Sequence, residues 1–326
     1  MANLTVSTSP HIRSSVTTQS IMRDVLIALA PATTAAVVFF GLRALLLILV
    51  SVSTCFVGEL LFNLICRRKQ TVGDLSAIVT GVILALNVNT KTTVWQMIIG
   101  ALFAIIVVKC LFGGLGCNFA NPAATARILL CVSFAEIGAS VRPTFTDLVA
   151  GATPLGNMAS LQEPLDWATA LTGQNANGID VIPKLFHMLI GNRGGAMGET
   201  CAIAILAGFI YLLARRVIKW QTPVVFVATV FVLSWILSGS FLMAIYHVLS
   251  GGLLFGAVFM ATDYVTTPIR NSGRIIFALG CAIITVLIRF FGGYPEGVSF
   301  SILIMNIVSP FIDKLTTKVP FGGKRK

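Results

Sequence analysis

The stretch ALLLILVSVSTCFVGELLFNLI, residues 44–65, contains a single charged residue, Glu59, and is followed closely by Arg67, Arg68 and Lys69. A helix of about 20 apolar residues is long enough to cross the hydrocarbon core of a bilayer. Lys and Arg collect at the cytoplasmic ends of such helices. The stretch therefore predicts a transmembrane helix whose carboxyl end faces the cytoplasm.

The rest of the chain repeats this pattern. The sequence has 326 residues, of which 56% are hydrophobic and 11% charged, which is too little charge for the surface of a soluble domain of this size. We therefore predict an all-α polytopic membrane protein with about ten transmembrane helices. Their approximate ranges are 25–40, 44–65, 75–90, 94–112, 121–138, 200–214, 222–238, 241–260, 275–291 and 297–313.

The net charge of +11 has two competing explanations, a nucleic-acid partner or an excess of basic residues on cytoplasmic loops. With the N-terminus placed in the cytoplasm, 17 of the 23 Lys and Arg residues fall on the cytoplasmic side, among them Lys109 and Arg127. This asymmetry predicts ten helices with both termini cytoplasmic. It accounts for the charge without a nucleic-acid partner.

A weak internal repeat relates the two halves. TGVILALN at 80–87 resembles SGGLLFGAVF at 250–259, and the segment 111–130 resembles 290–307. Both pairs lie five predicted helices apart, and an odd offset places the two halves in opposite orientations. The polar ends of the third run (LALNVNT) and of the fifth (NPAATARILL) predict short or broken helices.

The predicted helices divide the chain into three parts: residues 1–138, 139–198 and 199–326. The middle part is a long extracytoplasmic loop that contains DLVAGATPLGNM at 147–158. Thr153 lies there among small residues and before a proline, with no neighbouring base to activate its hydroxyl. From the residues alone, Thr153 is either part of a turn that caps a helix or an attachment point modified by another enzyme.

Other chemistry finds little support in the sequence. The seven cysteines have no metal-ligand or redox spacing, so we expect neither a disulfide framework nor a metal site. The three histidines lie in separate segments without a nucleophile motif, and no phosphate-binding loop is present. We therefore expect no catalytic residue in this chain alone.

The loop motif resembles the flavin-attachment motif of a known family. DLVAGATPL is similar to the motif in the membrane D subunit of the Rnf complex and in the B subunit of the sodium-pumping NADH:quinone oxidoreductase. Asp147, Gly151, Ala152 and Thr153 match the motif, and Ala150 departs from the usual serine. The resemblance implies that Thr153 carries FMN through a phosphoester, attached by a separate flavin transferase outside the cytoplasm.

The resemblance extends over most of the chain. It includes GGLGCNFANPAATARILL, GNRGGAMGETCAIAILAG and FMATDYVTTPI, with Tyr264 and Thr267 as departures. It implies a subunit of an ion-translocating ferredoxin:NAD oxidoreductase in the bacterial cytoplasmic membrane, with a second, noncovalent flavin such as riboflavin as an option. Its partners would be other Rnf subunits, including a second covalent-FMN subunit and small membrane subunits.

Five further residues are candidates, each with a structural alternative. Glu199 is expected at the start of the sixth helix, either near the flavin or ion path or as a charge that stabilises the helix dipole. Glu59 and Asp263 are candidates for the ion path, against a position near the cytoplasmic interface. Asn121 and Pro122 either shape a flavin site or simply cap and begin a helix.

Two other functions stay open at this point. The B-type subunit of the quinone reductase shares the expected fold and flavin, although it usually has a longer N-terminal segment. A channel or carrier for a small solute, without redox chemistry, fits the same inverted repeat.

Overall fold

The computed structural model describes residues 16–134, 137, 140–141, 150–151, 184–292 and 296–317. These residues are helical apart from their connections and one two-residue antiparallel ladder. The predicted all-α class agrees with this architecture. In the ladder, strand β1 (Ser140–Val141) pairs with β2 (Ala150–Gly151), which lies in the predicted extracytoplasmic loop.

The first half of the chain forms five helices. Their ranges are α1 (Thr18–Phe40), α2 (Leu42–Ile65), α3 (Ser76–Leu86), α4 (Val94–Cys110) and α5 (Pro122–Ser133). The second part of α4 is a π-helix from Phe103 onward. The polar boundary of the third run and the Asn-Pro start of the fifth are confirmed, because α3 ends at Leu86 and α5 begins at Pro122.

The second half begins with a short helix and continues with six more helical segments. Their ranges are α6 (Leu185–Ile190), α7 (Ala202–Ala214), α8 (Gln221–Ser238), α9 (Phe241–Leu249), α10 (Leu253–Met260), α11 (Asn271–Phe291) and α12 (Val298–Thr316).

The helices have the length and composition of a multi-pass membrane protein. Five of them, α1, α2, α8, α11 and α12, are long and apolar enough to cross a membrane singly, and α9 with α10 makes up to six. The remaining apolar helices α3, α4, α5 and α7 are shorter than 18 residues. Leucines on α2, such as Leu42 and Leu64, point outward, as expected of a surface in contact with lipid.

The prediction of one continuous helix over 241–260 is wrong. The chain bends by 62° between α9 and α10. Gly251 has a φ of 63°, a left-handed conformation that favours glycine. The Arg289 guanidinium donates to the carbonyl oxygens of His247 and Ser250, which the end of α9 leaves without helical partners. A glycine pair and a buried arginine therefore stabilise the break.

Candidate functional site

Most of the threonine motif lies outside the described residues. Thr153, Asp147 and Ala152 belong to the segment that the structure does not describe. Gly151 is described, and it pairs with Ser140 in the ladder. The ladder therefore connects the motif to the chain that follows the first five helices.

A cavity with about 780 Å³ of empty space, its solvent-open mouth included, lies between the two halves of the chain. Its walls come from α1, α3, α7 and α10 and from the segments that precede α5 and follow α10. Among its lining residues are Asn121, Pro122 and Asp263, three of the residues predicted from the sequence. Lys109 also lines it. The fold thus brings together predicted flavin-site and ion-path residues that are far apart in the sequence.

Asn121 and Pro122 form the start of α5. The Asn121 side-chain oxygen accepts hydrogen bonds from the backbone N–H groups of Ala123 (3.0 Å) and Ala124 (3.2 Å). Pro122 is at the first helical position, where its missing N–H costs nothing. The Asn121 amide nitrogen donates to the Met260 carbonyl (3.1 Å) and so ties α5 to α10. The capping role is confirmed, and it places both residues at the cavity wall.

Asp263 lies just after α10, on the wall of the same cavity. Its carboxylate accepts a hydrogen bond from the Thr266 hydroxyl at 3.1 Å. Burial raises the pKa of the Asp263 carboxyl above its ordinary value, although hydrogen bonds from Thr266 and from the backbone of Val265 and Tyr264 oppose this effect. Asp263 is therefore a partly buried carboxyl that takes up a proton more readily than a solvated aspartate.

Glu59 is fully enclosed and forms an ion pair with Lys109. The carboxylate and ammonium groups are 2.7 Å apart, and the Thr71 hydroxyl donates to the other carboxylate oxygen at 2.6 Å. Lys109 also donates to the Ser76 hydroxyl at 2.6 Å. Since Lys109 lines the cavity, Glu59 is connected to the cavity through this lysine.

A second buried charge cluster surrounds Arg127. Its guanidinium lies 2.7 Å from the Glu199 carboxylate and also contacts the Glu296 carboxylate. The prediction that Glu199 begins a helix is wrong, because α7 starts at Ala202. Arg193 holds the Glu199 segment in place by donating to the Glu199 backbone carbonyl. The cluster therefore joins α5 of the first half to two segments of the second.

Two features connect the Arg127 cluster to the cavity: the close backbone approach at Gly252 and the side-chain amide of Asn87. A Cβ at Gly252 would lie 2.5 Å from the Glu199 carboxylate, so the break before α10 approaches the cluster only because residue 252 is glycine. Arg127 donates to the Asn87 side-chain oxygen at 3.1 Å, and the Asn87 amide nitrogen lies 3.4 Å from the Met260 sulfur. Met260 in turn accepts from Asn121, which lines the cavity.

Three basic residues that charge counting assigns only to a side of the membrane are partnered inside the fold. Charge counting predicts Lys109 and Arg127 on the cytoplasmic side and Arg289 on the extracytoplasmic side. All three are buried within helices, and their partners were not predicted. The sequence contains one indication of this pairing, because all three cations lie inside or beside apolar runs. A charge that is buried there is stable only with a partner. Glu296 could not be identified because its partner, Arg127, lies in the other half.

Comparison with known proteins gives consistent matches along the whole chain. The model of the NQR2, RnfD, RnfE family matches residues 5–322. The D subunit of the Na⁺-translocating ferredoxin:NAD⁺ oxidoreductase complex of Acetobacterium woodii is 40% identical, with 98% of this chain and 96% of that protein covered. The D subunit of the proton-translocating complex of Clostridium ljungdahlii is 39% identical, with 98% and 97% covered.

A third relative is less similar. The D subunit of the ion-translocating oxidoreductase complex of Halorhodospira halophila is 36% identical, with 97% of this chain and 95% of that protein covered. The first two relatives are almost equally similar to the chain but are named for different ions. Overall identity therefore does not distinguish sodium from protons.

Proposed function

This chain belongs to the NQR2, RnfD, RnfE family, and on that premise we propose that it is the membrane D subunit of an Rnf-type ion-translocating ferredoxin:NAD⁺ oxidoreductase. The observation that carries the proposal is its full-length likeness to subunits with that name. The redox reaction belongs to the whole complex. Within the complex, this subunit carries electrons and couples electron transfer to ion movement. The shared name of these relatives favours this function over the B-type subunit of the quinone reductase.

Identification of the partners tests this proposal. The tagged chain would be purified in mild detergent from its native membranes, and the accompanying proteins identified by mass spectrometry. We expect the other Rnf subunits, including a second covalent-FMN subunit and small membrane subunits. Quinone-reductase subunits in their place would contradict the proposal, and a chain without redox partners would favour the carrier. An unrelated membrane protein with the same tag is the control.

The proposed covalent cofactor is FMN on Thr153. The support is the motif of Asp147, Gly151, Ala152 and Thr153, together with the family to which the chain belongs. A separate flavin transferase would form the phosphoester, which removes the need for a base beside the threonine. Flavin suits the role because it takes up and releases one or two electrons, while the protein supplies position and electrostatics.

The 780 Å³ cavity is the proposed site of a second, noncovalent flavin such as riboflavin. The apolar wall suits an aromatic ring system, and the Asn118 side-chain oxygen, which has no hydrogen-bond partner within the described residues, supplies a polar group. Lys109 would place a positive charge beside the bound ring. A flavin there would give electrons a carrier inside the helix bundle.

Ion translocation is proposed to use Glu59 and Asp263. Both are carboxyl groups at or next to the cavity, and Glu59 is paired with the lysine that lines it. A change of charge in the cavity would act directly on Lys109 and so on its pairing with Glu59. Such a differential interaction is what shifts a protein between two conformations. The transported ion is Na⁺ or a proton.

We also propose the finer topology of ten helices in two inverted halves. Helical segments overlap all ten predicted runs, and the run 241–260 is divided between α9 and α10. In support, α2 packs on α3 and α4, α8 packs on α9 and α11, and α1 of the first half packs on α7 of the second. The proposed arrangement places both termini in the cytoplasm and residues 139–198 outside, in a bacterial cytoplasmic membrane.

A further inference from the structure

A second cavity, with about 460 Å³ of empty space that includes its solvent-open mouth, lies at the amino ends of α8 and α11. Three of its lining residues are cationic: Arg216, Lys219 and Arg274. Four more carry hydroxyl groups: Thr222, Thr262, Tyr264 and Thr267. No acidic residue of the described chain lines it. The cavity therefore has a strong excess of positive charge.

The ends of two long helices add to this charge. The 18-residue helix α8 begins at Gln221 and the 21-residue helix α11 begins at Asn271. Lys219 donates to the Asn271 side chain at 3.0 Å, so the two helix starts meet at the cavity. A helix N-terminus presents free N–H groups and a partial positive charge, and it commonly binds phosphate.

Some of the polar groups have no partner within the protein. The Arg216 side chain makes no hydrogen bond or ion pair with any described residue. Arg216 lies two residues after the end of α7 and has a left-handed backbone φ of 58°. Thr222 is buried in the first turn of α8, and its hydroxyl likewise has no hydrogen-bond partner in the described ranges. These groups are available to an external ligand.

The remaining lining groups are occupied. The Thr262, Tyr264 and Thr267 hydroxyls donate to backbone carbonyl groups, so they form walls and do not donate to a ligand. Arg274 donates through Nε to the Pro268 carbonyl at 3.0 Å. Asp313 is the acidic group near Arg274, and its carboxylate already accepts from the backbone of Ile269.

The surroundings of the cavity are apolar and exposed. Trp220, which follows the lining residue Lys219, is 55% exposed, and Ile269, two residues after the lining residue Thr267, is 78% exposed. Tryptophan marks the membrane–water interface, and basic pockets between helix ends bind anionic lipid headgroups. We propose that this cavity binds the phosphate of an anionic phospholipid, held by Arg216, Lys219 and the start of α8, with the acyl chains beside Trp220 and Ile269.

Native mass spectrometry of the purified complex tests the proposal. The complex would be stripped of lipid and titrated with dioleoylphosphatidylglycerol or, for comparison, dioleoylphosphatidylcholine. We expect one tightly retained phosphatidylglycerol, with at least about tenfold weaker binding in Arg216→Gln/Lys219→Gln/Arg274→Gln, since each interfacial cation contributes about 1 kcal/mol. The control Arg23→Gln/Arg67→Gln/Lys69→Gln removes the same charge from exposed positions and should bind normally.

The single variant Arg216→Gln keeps the test decisive if the triple variant does not fold. It removes no contact within the described chain, and we expect about fivefold weaker phosphatidylglycerol binding. Equal retention by wild type and by either variant would overturn the proposal. Displacement of phosphatidylglycerol by millimolar inorganic phosphate would also overturn it, because the site would then belong to a soluble phosphate ligand.

Discussion

Arg127 of α5 and Glu199 of the segment before α7 form a buried ion pair of 2.7 Å that joins the two halves of the chain. Glu296, before α12, contacts the same guanidinium. A buried charge that loses its partner is strongly destabilising, whereas replacement of a whole pair by neutral groups is tolerated better. The halves are therefore held together by an interaction that must be kept or removed as a unit.

We expect Arg127→Met to destabilise the protein by about 3–5 kcal/mol, because it leaves two carboxylates uncompensated. Denaturant unfolding in detergent would measure this loss. The double variant Arg127→Met/Glu199→Gln should lose less than the sum of the single variants, since the two groups are coupled. Additive losses would contradict the coupling. Arg67→Met, at an exposed position, is the control.

Glu59→Gln should separate electron transfer from ion transport. The variant removes the carboxylate paired with Lys109 but leaves the cavity lining unchanged. In proteoliposomes of the complex, we expect ion uptake to fall more than about tenfold, which corresponds to a loss of roughly 1.4 kcal/mol or more of coupling free energy. Flavin reduction should continue. Asp24→Asn, which alters a paired carboxylate outside the cavity lining, should retain uptake. Normal uptake by Glu59→Gln would exclude it from the ion path.

Asp263→Asn should alter stability in a pH-dependent way. The raised pKa of this carboxyl means that the folded protein favours its protonated form, so ionisation destabilises the fold as pH rises through that pKa. The gain in melting temperature of Asp263→Asn over wild type should therefore be small at about pH 4, near the ordinary pKa of an aspartate, and larger at about pH 8. Thermal scans in detergent at the two pH values measure it. A gain that falls with rising pH would show that the sign is wrong.

Met22→Trp should displace the proposed second flavin. Met22 is on α1 and lines the 780 Å³ cavity, so the larger side chain would fill part of the space. Denaturation releases noncovalent flavin, which chromatography quantifies against protein. We expect a loss of most released flavin, with covalent flavin unchanged. Val38→Trp places the same residue on the exposed side of α1 and should have no effect. Unchanged release from Met22→Trp would exclude this cavity.

Local patterns in the sequence predicted the helices well. Asn121 and Pro122 mark the start of α5, and Asn87 caps the end of α3, because capping and proline preferences act over a few residues. The break at residues 250–252 was not predicted. Its stability depends on Arg289, which lies almost forty residues later and binds the carbonyl of Ser250.

The candidate site was predicted only in part. Asn121, Pro122 and Asp263 were identified one by one, but their common cavity depends on how α5 and α10 pack. The ion pairs of Lys109 and Arg127 were not predicted, because their partners, Glu59 and Glu199, are about 50 and 70 residues away. Pairing of buried charges across a fold is a tertiary property, and single-sequence patterns do not contain it.

The proposed covalent flavin on Thr153 can be tested directly. The chain would be co-expressed with a flavin transferase, denatured, separated on a gel and examined for flavin fluorescence in its band. We expect a fluorescent band for wild type and for the control Thr144→Ala, and a dark band for Thr153→Ala. A dark wild-type band, or fluorescence that survives Thr153→Ala, would contradict attachment of the flavin to Thr153.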